Sequence, residues 1–234
     1  MTEWAVELKD VKKTYRMGPI EVPALRGINL QVAAGEFLAI AGPSGCGKTT
    51  LLNIIGGLDR ADTGDVLVEG KNLQLLSSGA LARLRLRRLG FVFQAYNLLP
   101  VLTAMENAEF TLLLQGVPAK QRIARVEKLF SEIGLGGLEG RRPGALSGGQ
   151  QQRVAVARAM VTEPALILAD EPTANLDSVT ATALLEVMEQ LNRTHGTTFA
   201  YATHDPQVME RAHRLIRLRD GQIVSDVVNA GSAP

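Results

Sequence analysis

Cysteine is nearly absent, with Cys46 alone among 234 residues. That excludes an internal disulfide, and with it a secreted scaffold held by cross-links. No CxxC pair is present, and the histidines are only His195, His204 and His213, so the usual zinc sites cannot be assembled. Charge of one sign is lacking as well. The 25 Lys and Arg face 24 Asp and Glu, and a formal net charge of +1 provides no long-range field for nucleic acid or an anionic membrane. No apolar run approaches the roughly 18–20 residues that span a bilayer. The start, Met1 to Asp10, mixes charges with apolar residues and lacks the apolar core of a signal peptide. These absences predict a soluble protein of a reducing compartment, and the length suits one large domain or two small ones. What is abundant is glycine, 23 residues, and it is clustered.

The first third reads as strands. Val6, Leu8 and Val11 alternate up to a turn at Gly18-Pro19, and Leu25 to Val32 alternates again before Ala34-Gly35. Phe37 to Ala41 is apolar throughout, which suits a strand of a parallel sheet covered on both faces. Thr49 to Ile55 reads as a helix closed by Gly56-Gly57, and Asp65 to Glu69 as a strand with its turn at Gly70-Lys71-Asn72. In the middle, Ile123, Val126, Leu129, Phe130 and Ile133 mark one face of a helix over 119–133, stopped at Gly134. The basic run Arg83, Arg85, Arg87 and Arg88 lacks an aromatic platform and reads as a solvated helix face, not a nucleic-acid site. The last third alternates: strand Leu166 to Ala169, helix Ser178 to Arg193, strand Thr198 to Thr203. A short helix follows with Asp205 at its N-cap and Pro206 at its first position, then a hairpin through Asp220-Gly221. Strand and helix alternating at both ends around a helical middle predict an α/β domain with a helical insertion.

Gly42-Pro-Ser44-Gly45-Cys46-Gly47-Lys48-Thr49 is a full GxxxxGK[ST] phosphate-binding loop between a predicted buried strand and a predicted helix. Its glycines let backbone N–H groups point at phosphate oxygens, and the helix N-terminus adds its dipole. Lys48 can reach the β and γ phosphates and the Thr49 hydroxyl can ligate Mg²⁺. Cys46 contributes backbone here, not a reactive thiol. The strand Leu166 to Ala169 ends in Asp170-Glu171-Pro172, which places two carboxylates at the carboxyl edge of the sheet. Asp170 is the metal-holding partner of Thr49. Glu171 is then the residue to polarise an attacking water. Ser147-Gly148-Gly149-Gln150 fits a capping box opening a helix toward Met160, and its two glycines bare the N–H groups of a second anion site.

Taken together these motifs resemble the nucleotide-binding subunit of ABC transporters, whose signature LSGGQ stands at Leu146 to Gln150. The resemblance extends from about Val6 to Val227. It implies a P-loop NTPase fold, with a RecA-like, mostly parallel sheet core, an N-terminal antiparallel β subdomain and an inserted α-helical subdomain. It divides the single domain into 1–93 and 160–228 for the core, about 94–159 for the helical part with the signature, and 229–234 as a frayed tail. It implies ATP and Mg²⁺ as ligands and ATP hydrolysis as the activity. Tyr15 matches the aromatic that stacks on adenine, and Thr50 closes the phosphate loop. Gln94 matches the glutamine that contacts Mg²⁺ and water, Asp177 the loop at a dimer seam, and His204 the histidine near the γ-phosphate. His195 and His213 match nothing and read as surface residues. The family packs two copies head to tail, so Ser147, Gly148, Gly149 and Gln150 would meet the nucleotide held by the other copy. It also implies an integral membrane permease docking near Gln94, Leu98, Leu99 and the helical part, with the subunit peripheral on the cytoplasmic face of the inner membrane.

Val22 to Gly27, Gly90 to Pro100 with Leu102-Thr103-Ala104 and Glu106-Asn107, and Pro172 to Ser178 most resemble the group of cassettes that includes LolD, MacB and FtsE. That group implies lipoprotein release or export of a small molecule or peptide. The alternative it allows is a non-transport cassette gating an extracytoplasmic enzyme. Repair and translation ATPases of the same family, with a long coiled coil or two cassettes, do not fit 234 residues.

Overall fold

In the computed structural model, residues 4–229 are described, apart from the side chains of Met17 and Gln207. Strands β1 (Trp4–Met17) and β2 (Ile20–Ala33) form an antiparallel ribbon that turns at Gly18-Pro19. Then come β3 (Phe37–Ala41), α1 (Lys48–Ile55), β4 (Thr63–Val68), β5 (Lys71–Asn72), α2 (Ser78–Arg88) and β6 (Leu89–Phe93). Three helices follow, α3 (Ala104–Leu114), α4 (Ala119–Glu132) and α5 (Gly148–Met160). The chain closes with β7 (Leu166–Asp170), α6 (Ser178–His195), β8 (Thr198–Thr203), α7 (Pro206–Arg211) and the hairpin β9 (Arg214–Arg219) to β10 (Gln222–Val228). One sheet is antiparallel, in the order β2-β1-β4-β5. The other runs β10-β9-β3-β8-β7-β6, parallel from β9 to β6 with β10 antiparallel at its edge. This is the α/β architecture with an antiparallel β subdomain and inserted helices.

The unbroken apolar runs of the central strands follow from two cores, one on each face. Phe37, Ala39 and Ala41 point into a core shared with the inserted helices and α6. Leu38 and Ile40 point into a second core shared with α1 and the antiparallel sheet. The same alternation sends Phe199 and Tyr201 one way and Ala200 and Ala202 the other. Residues at either parity are buried, so polar ones are confined to the strand ends, such as Thr198 and Thr203 of β8. Burying a ring such as Phe37, packed on Phe199 and Tyr201 with centroids 5.6 and 5.0 Å away, contributes about 1.5–3 kcal/mol.

Several local expectations change. Lys71 and Asn72 are not turn residues but a short strand pairing with Val68 and Leu67, and the turn is Glu69-Gly70. Helix α3 is absent from the sequence reading although it carries a complete capping box: Glu106 N–H donates to the Thr103 hydroxyl, and Thr103 N–H to the Glu106 carboxylate. Ile123, on the predicted apolar face of α4, is 41% exposed, and that face is built from Val126, Leu129 and Phe130. The basic run is only half solvated. Arg83 and Arg87 are exposed, but Arg85 donates to the Gly57 carbonyl (2.8 Å) and Arg88 grips the Glu69 carboxylate through both Nε and Nη2. His213 is no surface residue, because its ring packs on Phe37, centroids 5.6 Å apart, and its Nε2 lies 3.6 Å from Glu189. His195 is exposed, as expected, and meets Glu132 at 3.0 Å. Of the expected frayed tail, 230–234 lies outside the described residues. Asn229 is held, its N–H donating to His213 O and its amide to Ala212 O.

Candidate functional site

β3 runs directly into the glycine-rich loop, and α1 begins at Lys48 with no side chain capping its N-terminus. Its first-turn N–H groups are therefore left for an anion. Gly47 has φ 108°, and a Cβ there would lie 2.5 Å from the Ala24 carbonyl oxygen, so both conformation and space demand glycine. Lys48 is buried at 7% exposure and its ammonium folds back on the loop, donating to Gly42 O (2.8 Å) and Pro43 O (3.2 Å). Cys46 is buried behind the loop, its carbonyl accepting from Gly221 N–H.

At the carboxyl end of β7 the two acids diverge. Asp170 lies low beside the loop, where the Thr49 hydroxyl bonds its carboxyl. Burial pushes the Asp170 carboxyl above the usual range, and the Glu171 charge adds to this, while Thr49 and Lys48 oppose it. Its Oδ1 is buried with no hydrogen-bond partner among the described residues. Glu171 takes the left-handed backbone, φ 49°, which for a side-chain-bearing residue costs about 1–2 kcal/mol. Its N–H still reaches Ala202 O on β8, and its carboxylate comes to lie between two cations or potential cations. Lys48 Nζ is 3.9 Å from Oε1, and the His204 Nδ1 is 2.9 and 2.8 Å from the two oxygens. His204 itself, just past β8, leaves most of its ring exposed.

These groups share one open cleft of about 830 Å³, lined among others by Tyr15, Ser44, Gly45, Gly47, Lys48, Thr49, Thr50, Gln94, Asp170, Glu171 and His204. Gly42 and Cys46 lie behind the loop and do not line it. Neither do Ser147, Gly148, Gly149, Gln150 or Asp177. Ser147 and Gln150 cap α5 reciprocally, Gln150 N–H donating to the Ser147 hydroxyl and Ser147 N–H to the Gln150 side chain. Asp177 caps α6, accepting from Val179 N–H, Thr180 N–H and the Thr180 hydroxyl, and these bonds, the Thr180 hydroxyl's first, hold its carboxyl below the usual range. Gln94 is exposed at the cleft rim, its carbonyl accepting from the Asn175 amide (2.9 Å).

Three further residues organise these loops. The Gln152 amide on α5 donates to Phe93 O (3.3 Å) and Pro172 O (2.7 Å), tying together the ends of β6 and β7 just beside Gln94 and Glu171. A glutamine at helical spacing from Ala155, Val156 and Ala159, on the buried face of the helix, was the available signal. Arg158 grips the Tyr96 and Asn97 carbonyls, both residues at positive φ. Asn107 is buried and bonds the backbone of Leu99, Leu102 and Thr103, which organises the loop between β6 and α3. Asn107 stands in the Glu106-Asn107 pair that resembles the LolD and MacB group, whereas nothing in sequence separates Arg158 from ordinary helical residues. Leu98, expected at an exposed apolar surface, is partly buried against the core, whereas Leu99 is 42% exposed. The larger exposed apolar feature is a groove of about 530 Å³ lined by Leu58, Leu86, Phe91, Phe93 and Leu114.

The cleft therefore gathers an uncapped helix N-terminus, a lysine and a histidine, which attract an anion, beside two carboxylates, which suit a cation or a water. The comparisons with known proteins agree. The family model for ABC transporters matches residues 25–174. The chain is 48% identical to the lipoprotein-releasing system ATP-binding protein LolD of Anaeromyxobacter dehalogenans, over 94% of this chain and 93% of that protein. It is 46% identical to the macrolide export ATP-binding/permease protein MacB of Syntrophobacter fumaroxidans over 98% of this chain, but spans only 32% of that protein. Its fold matches the dimeric post-hydrolysis state of the ATP-binding cassette MJ0796 bound to ADP and Pi, with a TM-score of 0.88 at 40% identity, covering 95% of this chain and 98% of that one. In the described residues no helix is long and apolar enough to cross a membrane. The chain belongs to the ABC transporter family, as an ATP-binding and ATP-hydrolysing cassette related to LolD and MacB.

Proposed function

We propose that this cassette works as a pair of copies, each holding ATP in its own cleft and closing it with the other's signature helix, to drive a membrane permease of the LolD or MacB type. The observation that carries this reading is the division of the site. Lys48, Thr49, Asp170, Glu171 and His204 converge on one cleft, while the N-terminus of α5, with Ser147, Gly148 and Gly149, lies outside it. The Ser147 hydroxyl accepts from Gln150 N–H and still has its own proton to donate to an anion. In one chain that donor has no phosphate to meet, and in a head-to-tail pair it does. Asp177, at the start of α6, belongs at the same seam.

Within each cleft the roles follow from placement. Lys48 exchanges its bonds to Gly42 O and Pro43 O for β and γ phosphate oxygens, and the loop N–H groups hold the same chain of phosphates. Tyr15 stacks on the adenine. Glu171 orients and polarises the attacking water, and His204, bonded to it, holds that carboxylate and reaches the γ-phosphate. The buried, unpartnered Asp170 Oδ1 beside the Thr49 hydroxyl fits a hard divalent cation, with Gln94 at the rim as a further oxygen donor. Bound there, Mg²⁺ would offset charge on the phosphate oxygens. The permease docks in the groove of Phe91, Phe93, Leu86 and Leu114, next to Gln94, which puts the cassette at the cytoplasmic face of the membrane. Cross-links from the partner to a different face would remove that part of the reading.

The test is Glu171→Gln. It keeps ATP binding, stops hydrolysis and accumulates a closed dimer, seen as a doubling of mass by light scattering on adding ATP. If this variant binds ATP and stays monomeric at concentrations well above those of the cleft's affinity, the two-copy site is refuted.

A further inference from the structure

Asp59 stands outside every nucleotide motif, in the loop that follows α1, yet it is bonded to the residue at the far end of the cleft. The Tyr15 hydroxyl donates to Asp59 Oδ2 at 2.8 Å, and Lys13 Nζ donates to Asp59 Oδ1 at 2.9 Å and to Arg60 O at 2.8 Å. The same ammonium sits 5.1 Å from the centroid of the Tyr15 ring. Lys13 does not line the cleft, whereas Tyr15 does. Asp59 is in turn fixed to the phosphate-loop helix, its N–H donating to Asn53 O on α1. A second tie runs alongside, from Thr14 N–H to Asp62 Oδ2 at 2.6 Å. The Thr50 hydroxyl on α1 reaches the same phenol oxygen. Burial, then the Asp59 carboxylate, pushes the Tyr15 phenol up, while for Asp59 the bonds from Lys13 and Tyr15 outweigh burial and hold it below the usual range. Both shifts favour the phenol as donor and the carboxylate as acceptor.

The geometry has a consequence for nucleotide binding. Tyr15 belongs to the antiparallel sheet and the phosphate loop to the parallel one, so nothing in either sheet alone sets the distance between them. Resting on the reading of Tyr15 as the base-stacking residue, we infer that Asp59 is a positioning residue for ATP: it locks the Tyr15 ring to the phosphate-loop helix at the spacing a nucleotide requires. The ring is 37% exposed, and without this bond only the Thr50 hydroxyl, the Lys13 ammonium and packing hold it toward the cleft. An unlocked ring must be ordered by the nucleotide itself, which weakens binding without changing the chemistry at the γ-phosphate.

The experiment measures ATP and inorganic tripolyphosphate binding, together with ATPase kinetics, for Asp59→Ala, Asp59→Asn, Tyr15→Phe and Tyr15→Ala. Expected for Asp59→Ala is an increase in KM and Kd for ATP of about three- to tenfold, with kcat and tripolyphosphate affinity unchanged. Asp59→Asn, which keeps an acceptor for the phenol, recovers part of the loss. Tyr15→Phe reproduces it, and the double variant is no worse than either single one. Asp59→Ala that weakens tripolyphosphate as much as ATP would show a general loop defect and overturn the proposal. So would Asp59→Ala and Tyr15→Phe that bind ATP normally while Tyr15→Ala does not. If Tyr15→Ala itself binds ATP normally, the stacking role of Tyr15 fails first and the lock falls with it. Should Asp59→Ala not fold, Tyr15→Phe and Asp59→Asn interrogate the same bond.

Discussion

The close approach of α5 to α6 makes Gly149 a steric requirement separate from any contact with nucleotide. A Cβ built on Gly149 would lie 2.3 Å from Thr180 Cγ2, about 1.2 Å or more inside normal carbon contact. Thr180 cannot simply turn away, because its hydroxyl is bonded to Asp177 Oδ2 at 2.7 Å and the rotation that clears the methyl breaks that bond. Overpacking of this kind costs about 1–3 kcal/mol. For a chain of this length about 2 kcal/mol lowers Tm by roughly 4–8 °C. The next nearest atom, Thr180 Cβ, is 3.8 Å away, an ordinary contact. Removing only the methyl with Thr180→Ser, which keeps the bond to Asp177, should therefore abolish the penalty. In that background Gly149→Ala is neutral or slightly stabilising, since alanine is the better helix former by up to about 1 kcal/mol. The assay is thermal unfolding of the wild type, both single variants and the double variant without nucleotide. An alanine that costs the same with serine as with threonine at 180 would refute the steric argument.

Other outcomes follow from the same geometry. Lys48→Ala removes the buried ammonium that serves Gly42 O, Pro43 O and the phosphates, and should abolish turnover; steady-state ATPase activity surviving in a pure sample would contradict its role. Asp170→Asn should raise Tm by a few degrees in nucleotide-free protein while eliminating hydrolysis, because burial favours a neutral group there; a lower Tm would sink that account. The Arg88 guanidinium, opposed by burial, holds Glu69 below the usual carboxylate range. A lowered folded pKa contributes stability above the unfolded value and loses it as pH falls through the folded one. Arg88→Leu should therefore cost at most about 1 kcal/mol at pH 7, the pair being half exposed, and the cost should shrink below about pH 4. Urea titrations at pH 7 and pH 3.5 check this, and an equal cost at both would be inconsistent with it.

Much of the α/β frame was legible because it depends on local pattern. Apolar runs at Phe37 to Ala41 and Leu166 to Ala169, the Ser147 and Gln150 capping pair and the Asp220-Gly221 turn each state their own structure within a few residues. Helix α3 was missed although its Thr103 and Glu106 box was equally local, because its apolar residues cover more than one face and give little periodicity. Strand β5 was missed because two residues pair only by courtesy of β4.

The candidate site divides in the same way. Sequence alone determined which groups are available, namely the phosphate loop, the paired acids, the histidine after a strand and the signature, because each is defined by a contiguous run with a required chemistry. Tertiary structure decided how they are aimed. The left-handed backbone at Glu171 sets its carboxylate between Lys48 and His204, Gln152 ties the loops bearing Gln94 and Glu171, and Asp59 reaches back 44 positions to Tyr15. Those relations join residues far apart in the chain through one or two hydrogen bonds each. A single hydrogen bond between distant residues leaves no period, spacing or composition in the sequence from which it could be read.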